Sequence, residues 1–162
     1  MNPKLLTKEL ITSLLKQACC LPRLRTNHNF HSETSDPIQR MVVAMKKGTY
    51  IRPHRHFDEQ KWEFAIALSG RMQILLFNTE GLLLAKYELA PQGELIGIEV
   101  PFECFHTWLP LTEEASFFEF KSGPYSPQFS SQFPQWAPEE TSRTAHAFLN
   151  KLSLLKTGES CI

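Results

Sequence analysis

The chain has 162 residues, enough for one ordinary domain with short appendages. Its 17 Lys and Arg balance its 17 Asp and Glu, so no net charge draws it to a nucleic-acid backbone or an anionic bilayer. Nucleic acid and membrane are therefore not expected partners. A hydrophobic share of 42% supports a real core, and 11 prolines with 7 glycines suit a fold rich in turns.

The first predicted element is an amphipathic helix from Thr7 to Ala18, with Thr7 as N-cap and Leu6 and Ile11 placed as a hydrophobic staple. Leu10, Leu14 and Ala18 share one of its faces, with Ile11 and Leu15 beside them. Lys8, Glu9 and Lys16 interrupt its apolar character as no signal-peptide core would, and no run reaches transmembrane length. Cys19, Cys20, Cys104 and Cys161 have the spacing of neither a disulfide framework nor a zinc ribbon. Reduced thiols in a soluble, cytoplasmic protein are expected.

The segment RLRTNHNFHSETSDP lacks periodicity and reads as loop. From Gln39 to Lys121 the texture changes to short apolar or alternating runs: MVVAM, FAIAL, MQILLF, LLLAKYEL, LIGIEV and SFFEFK. Turn signals separate them, which predicts an antiparallel sandwich or barrel. Gly81 in FNTEGLL suits a tight turn between two strands. The Pro- and aromatic-rich stretch SGPYSPQFSSQFPQWAPEE follows, with Phe129, Phe133 and Trp136 expected to strap it onto the sheets. A final helix near Ser142 to Lys156 aligns Phe148, Leu152 and Leu155 as a core-facing stripe.

The chemistry concentrates in RPHRHFDEQKWE, residues 52–63. Residues two apart on an extended segment point the same way, so His54 and His56 aim into one volume, as two ligands of a single ion must. His106 follows Pro101 on a later strand-like run. These positions resemble the two motifs of the cupin superfamily. Gly48, His54, His56, Glu63 and Gly70 match the first, except that six residues rather than three or four separate His56 from Glu63. Pro101 and His106 match the second, with Glu103 in place of its glycine and Pro110 in place of its asparagine. The resemblance implies a metal site of His54, His56, Glu63 and His106. Glu59 is the other nearby carboxylate, but Glu63 keeps the spacing to Gly70 and begins an apolar strand.

Across about Arg23 to Glu140, the stretches RLRTNHNFH, QRMVVAMKKGTYIRPHRH, KWE, FHTW, FFEFKSGPY and WAPEE resemble the WbuC-type cupin-fold metalloproteins of bacteria. That resemblance implies a jelly-roll barrel of antiparallel strands, all-β in its core, with an N-terminal and a C-terminal helix. It also implies an association with surface-polysaccharide (O-antigen) biosynthesis, without an assigned reaction. The expected organisation is a helix and loop over residues 1–38, the cupin barrel over 39–122, and the strap and last helix over 123–162. Homodimerisation is a family expectation, and an exposed MVVAM edge would favour it.

Alternation extends the site. Cys104 and Trp108 share a face with His106 and are expected to flank the ion. Cys104 is read as a small apolar residue rather than a further ligand. In SFFEFK, Glu119 and Lys121 are expected to face a wet interior, with Phe118 and Phe120 packed under the terminal helices. Lys121 would then hold an anionic substrate, or act as an acid if burial lowers its pKa, with Glu119 as partner base and Tyr125 as a phenolic donor. Arg52 shares the parity of the histidines and suits phosphate or carboxylate, whereas Arg55 faces away. Asn29 or His31 would close one mouth of the barrel.

Three functions remain open on this reading. The first is a metal-dependent enzyme, such as an isomerase or epimerase, acting on a sugar, sugar phosphate or nucleotide-sugar. The second is an iron(II)-dependent dioxygenase. The third is a non-catalytic small-molecule-binding cupin. Three imidazoles and a carboxylate accept one divalent ion of zinc, iron, manganese or nickel alike.

Overall fold

A computed structural model describes residues 2–56, 61–126 and 131–162. Glu59, one of the two carboxylates weighed above, and Phe129 of the strap lie outside them. Helix α1 spans Lys8–Cys19, and the Thr7 side chain caps it by accepting from the Leu10 amide at 3.1 Å. Its buried residues are Leu14, Leu15 and Ala18, while Leu6 is exposed. Strands follow as β1 (Arg25–Asn29), β2 (Ile38–Lys46), β3 (Glu63–Ser69), β4 (Met72–Phe77), β5 (Leu83–Leu89), β6 (Gly97–Val100), β7 (Phe105–Pro110) and β8 (Glu114–Ser122). Helix α2, Ala145–Leu154, closes the order.

The architecture is a cupin-type jelly roll of antiparallel strands with one helix from each end of the chain. Its hydrogen bonding does not close into a barrel. Five strands run in the order β1-β2-β8-β3-β6, and three in the order β5-β4-β7. The two sheets pack face to face over Met45, Ala65, Met72, Ile74, Trp108 and Phe117. Trp108 and Phe117 stack across this gap with ring centroids 4.8 Å apart, an arrangement worth about 1 kcal/mol beyond the area it buries.

Each sheet also buries its outer face, which explains the nearly continuous apolar runs. On the five-stranded sheet, Val42, Ala44 and Phe118 pack against Leu14 and Leu15 of α1. On the three-stranded sheet, Leu75, Phe77 and Leu109 pack against Leu149 and Leu152 of α2.

Two expectations are corrected here. RLRTNHNFH is not all loop, because Arg25–Asn29 pairs with β2 from Arg25 opposite Met45 to Asn29 opposite Met41. This strand carries no apolar alternation because Asn27, His28 and Asn29 stay exposed on a sheet edge. The same pairing covers MVVAM, so β2 lies inside the sheet and offers no free edge to a second copy.

Gly70 turns the chain from one sheet to the other at φ +68°, and a Cβ there would lie 2.1 Å from the Glu114 carbonyl oxygen. Only glycine fits that corner. Gly81 makes the turn between β4 and β5 within the three-stranded sheet at φ +81°, where a Cβ would lie 2.9 Å from Cys161 Sγ.

Candidate metal centre

The two halves of the site come from different sheets. Glu63 opens β3, opposite Lys121 of β8 and Val100 of β6. His106 lies on β7 of the other sheet. His54 joins it through an antiparallel bridge, the His54 amide donating to the His106 carbonyl at 3.0 Å and the His106 amide to His54 at 2.8 Å. One residue of alternation beyond the bridge puts His56 against Glu63, with Nε2 2.8 Å from Oε2. The Glu103 amide holds this turn by donating to the His56 carbonyl at 3.0 Å. Glu103 itself adopts φ +61°, the left-handed conformation for which the second cupin motif uses glycine.

One donor atom from each of His54, His56, Glu63 and His106 lies within 4.8 Å of the others. Atoms sharing an ion at about 2.1 Å sit roughly 3–4 Å apart, so small side-chain rotations would bring all four to one point. Ring orientations agree. His54 Nδ1 lies 3.1 Å from the Arg52 carbonyl, and His106 Nδ1 lies 3.0 Å from the Cys104 carbonyl. Donating Nδ1–H to those oxygens leaves each Nε2 with its lone pair facing the cluster. His106 Nε2 is fully buried without a hydrogen-bond partner, which is costly unless something else fills it. Three imidazoles and a carboxylate so arranged fit a divalent cation.

Electrostatics hold His54, His106 and Glu63 in their ligating forms. Burial pushes His54 well below the ordinary imidazole pKa, helped by His106 and His56. Burial lowers His106 as well. Burial would raise Glu63, yet the hydrogen bond from His56, then His106 and Lys121, hold its carboxyl far below the usual range. Neutral imidazoles at His54 and His106 beside the Glu63 carboxylate anion are what a cation requires.

Beside the donors opens a cavity of about 260 Å³. Trp108, Phe117, Met41, Val43 and Ile51 give it an apolar wall, and Arg52, Glu119 and Lys121 give it charge. Arg52 is fixed by a 3.0 Å bond from Nε to the Ala137 carbonyl, and its guanidinium stands 4.8 Å over the Phe133 ring. Lys121 Nζ sits 2.7 Å from Glu119 Oε1. This pair corrects the expected role of Lys121 as an acid of lowered pKa. Burial does lower it, but Glu119 and then Glu63 outweigh burial and raise it, so the ammonium is a fixed charge. Burial and the Glu63 charge raise Glu119.

Four expected site residues do not line this cavity: Cys104, Tyr125, Asn29 and His31. Cys104 Sγ points to the Phe77 carbonyl at 3.8 Å, so its backbone rather than its thiol meets the site, and burial pushes the thiol pKa up. Tyr125 is exposed and borders a separate small depression with Trp62, on the far side of His56 and Lys121. Asn29 is exposed and accepts from Asn27 Nδ2 at 2.7 Å. His31 is buried with Nδ1 3.0 Å from the Arg40 amide nitrogen, and does not reach the cavity. Arg55 points away, Nε donating to Gln132 Oε1 at 2.6 Å. Sequence reading missed Arg23, Arg25, Asn27 and Glu140, all of which line the cavity. The alternate polar positions 23, 25 and 27 were the available signal.

Fold and donor set together define a cupin-fold protein with a candidate metal centre. The chain belongs to the family described as a domain of unknown function, DUF6016, which it matches over residues 6–89. That span holds His54, His56 and Glu63 and stops before His106. Among curated proteins, none matches the sequence.

Solved structures share the fold. CapF from Staphylococcus aureus, a capsular polysaccharide assembling protein, aligns with a TM-score of 0.57 at 20% identity over 67% of this chain. The match spans 31% of CapF, so this chain corresponds to about a third of that protein. Protein SO0799 from Shewanella oneidensis aligns with a TM-score of 0.55 at 12% identity, over 68% of this chain and 73% of that one. An oxalate oxidase aligns at 0.53 and 11%, over 70% and 56%. Among the described residues, no helix is long and apolar enough to cross a membrane.

Proposed function

We propose that this protein is a metal-dependent cupin that binds and transforms a small sugar-derived molecule in bacterial surface-polysaccharide metabolism. The carrying observation is the convergence of His54, His56, Glu63 and His106 around the orphaned Nε2 of His106. A bound divalent ion would polarise a carbonyl or hydroxyl as a Lewis acid. The chain's own residues prepare the cavity for that ligand. Trp108 and Phe117 offer an apolar floor for a sugar ring, Lys121 fixes a positive charge beside it, and Glu119 is the candidate base. The WbuC-like sequence stretches support the polysaccharide setting, as does the fold shared with CapF, which has been seen with the inhibitor 3-isopropenyl-tropolone. A cytoplasmic homodimer fits that setting.

Elemental analysis is the first test. The purified chain should carry one divalent ion, and His54→Ala and His106→Ala should each lower retention at least tenfold. Incubating the loaded protein with sugar phosphates and nucleotide-sugars, followed by NMR, then separates turnover from binding. Oxygen uptake by the iron-loaded form alone would replace the isomerase reading with the dioxygenase one. A wild-type chain that takes up no zinc, iron, manganese or nickel would overturn the proposal.

A further inference from the structure

The metal cavity shares Arg23, Arg25 and Glu140 with a second cavity of about 430 Å³, which Arg143 and His146 also line. Glu140 is thus a carboxylate in the partition between two spaces. Its Oε2 accepts from Arg23 Nε at 2.8 Å, and its Oε1 accepts from Arg25 Nη2. Arg25 is anchored by a 2.8 Å bond from Nη1 to the Tyr50 carbonyl and is mostly buried, whereas the Glu140 side chain is 27% exposed and has room to swing.

The charges around the metal cavity do not balance. Arg23, Arg25, Arg52 and Lys121 face Glu63, Glu119 and Glu140, and a divalent ion would widen that positive excess. Lys121 is matched by Glu119, and Arg52 is bonded to strap carbonyls. The shortfall therefore falls on Arg23 and Arg25, two guanidinium groups sharing one monoanion. In the place of Glu140, a phosphate dianion would neutralise both and match their forked donors, whereas a monocarboxylate would match the forks with half the charge.

We propose that Arg23 and Arg25 form a phosphate subsite plugged by Glu140, and that a phosphorylated ligand of the metal cavity opens it by displacing this carboxylate toward Arg143. The proposal rests on the reading of that cavity as the ligand site. Arg23, Arg25 and Glu140 line the same cavity as His54 and Glu63. Tyr50, whose carbonyl anchors Arg25, precedes His54 by only four residues, about 14 Å of extended chain, a span on the scale of a phosphorylated mono- or disaccharide. The ligand class is a sugar phosphate with its sugar toward the ion.

The test is calorimetric titration of the metal-free protein with inorganic phosphate and, separately, with acetate. Glu140→Gln removes the plug and should bind phosphate about tenfold tighter than wild type, with no matching gain for acetate. Adding Arg25→Gln to that variant should abolish the gain. Arg23→Gln in the same background, at a side chain 65% exposed, should reduce it in a fold with little to lose. A Glu140→Gln variant that binds phosphate no tighter, a gain that survives both arginine changes, or acetate binding as tightly as phosphate would overturn the assignment. Because the ion is absent throughout, these results stand apart from the metal reading, which fails only if wild type takes up no metal.

Discussion

Lys121→Met would remove an ammonium that faces two buried carboxylates, Glu119 and Glu63. Its Nζ sits 2.7 Å from Glu119 Oε1, with side-chain exposures of 20% and 9%, and Glu63 lies directly across the strand pair. Deleting one member of a buried pair strands the other charge at a cost of about 3–5 kcal/mol, and the residual exposure of Lys121 places this case near 3. For a domain of this size that corresponds to a fall of about 6–12 °C in Tm. Urea unfolding of the metal-free protein at pH 7 measures the free energy, and calorimetry the Tm. Combining Lys121→Met with Glu119→Gln removes both charges and should return the protein to within about 1.5 kcal/mol of wild type. The pH dependence has a defined sign. Glu119 is held above its unfolded value of 4.5 by burial and the Glu63 charge, and losing Lys121 raises it further. A carboxyl raised in the folded state stabilises below its unfolded pKa and loses that contribution as pH rises through the folded value. The deficit of Lys121→Met relative to wild type should therefore be smaller at pH 5 than at pH 7. A deficit below about 1 kcal/mol at pH 7, or one that does not change with pH, would refute the picture of Lys121 as a fixed countercharge.

Zinc at a hundred times its dissociation constant should stabilise the wild-type chain by about 2.7 kcal/mol, a Tm gain of roughly 5–11 °C in differential scanning fluorimetry. His106→Ala should not show it. In the metal-free protein, His54 and His106 are both held below 6.5, so the unfolded chain takes up protons first and stability falls as pH drops below that value. By pH 5.5 the loss from His54, which lies well below 6.5, should reach about 1.4 kcal/mol, with a further contribution of the same sign from His106, measured by urea titration across pH and reduced in His54→Ala. Glu103→Gly relieves a left-handed side-chain residue beside the His56 carbonyl and should raise stability by about 1 kcal/mol in the same assay.

Local spacing made half of the site readable. His54 and His56 sit two apart, and Glu63 keeps its distance from Gly70, because a motif within one turn and strand is written in the sequence itself. Strand parity located Trp108, Glu119 and Lys121 on the cavity, since all three lie inside β7 and β8. Parity put Cys104 on the inter-sheet side with Trp108 but not on the cavity, and it failed for Tyr125, three beyond β8, where the chain no longer alternates. Strand β1 escaped notice because an edge strand with exposed polar residues shows no hydrophobic period. The bracket of Arg25 and Glu140 joins residues 115 apart, a closeness that only the folded chain creates. The raised pKa of Lys121 was illegible for the same reason. It depends on which carboxylates the sheet brings within reach, and burial alone pointed the other way.

Glu63 is delivered by the five-stranded sheet and His106 by the three-stranded one, with His54 laced to the latter. A cation gripped by both is a rivet through a sandwich whose layers otherwise adhere by side-chain packing. Splaying the layers and releasing the ion become one motion, so amide exchange along β3 and β7 should slow together on loading. Any ligand that wedges the layers apart would then expel the metal, and one that draws them closed would tighten its hold.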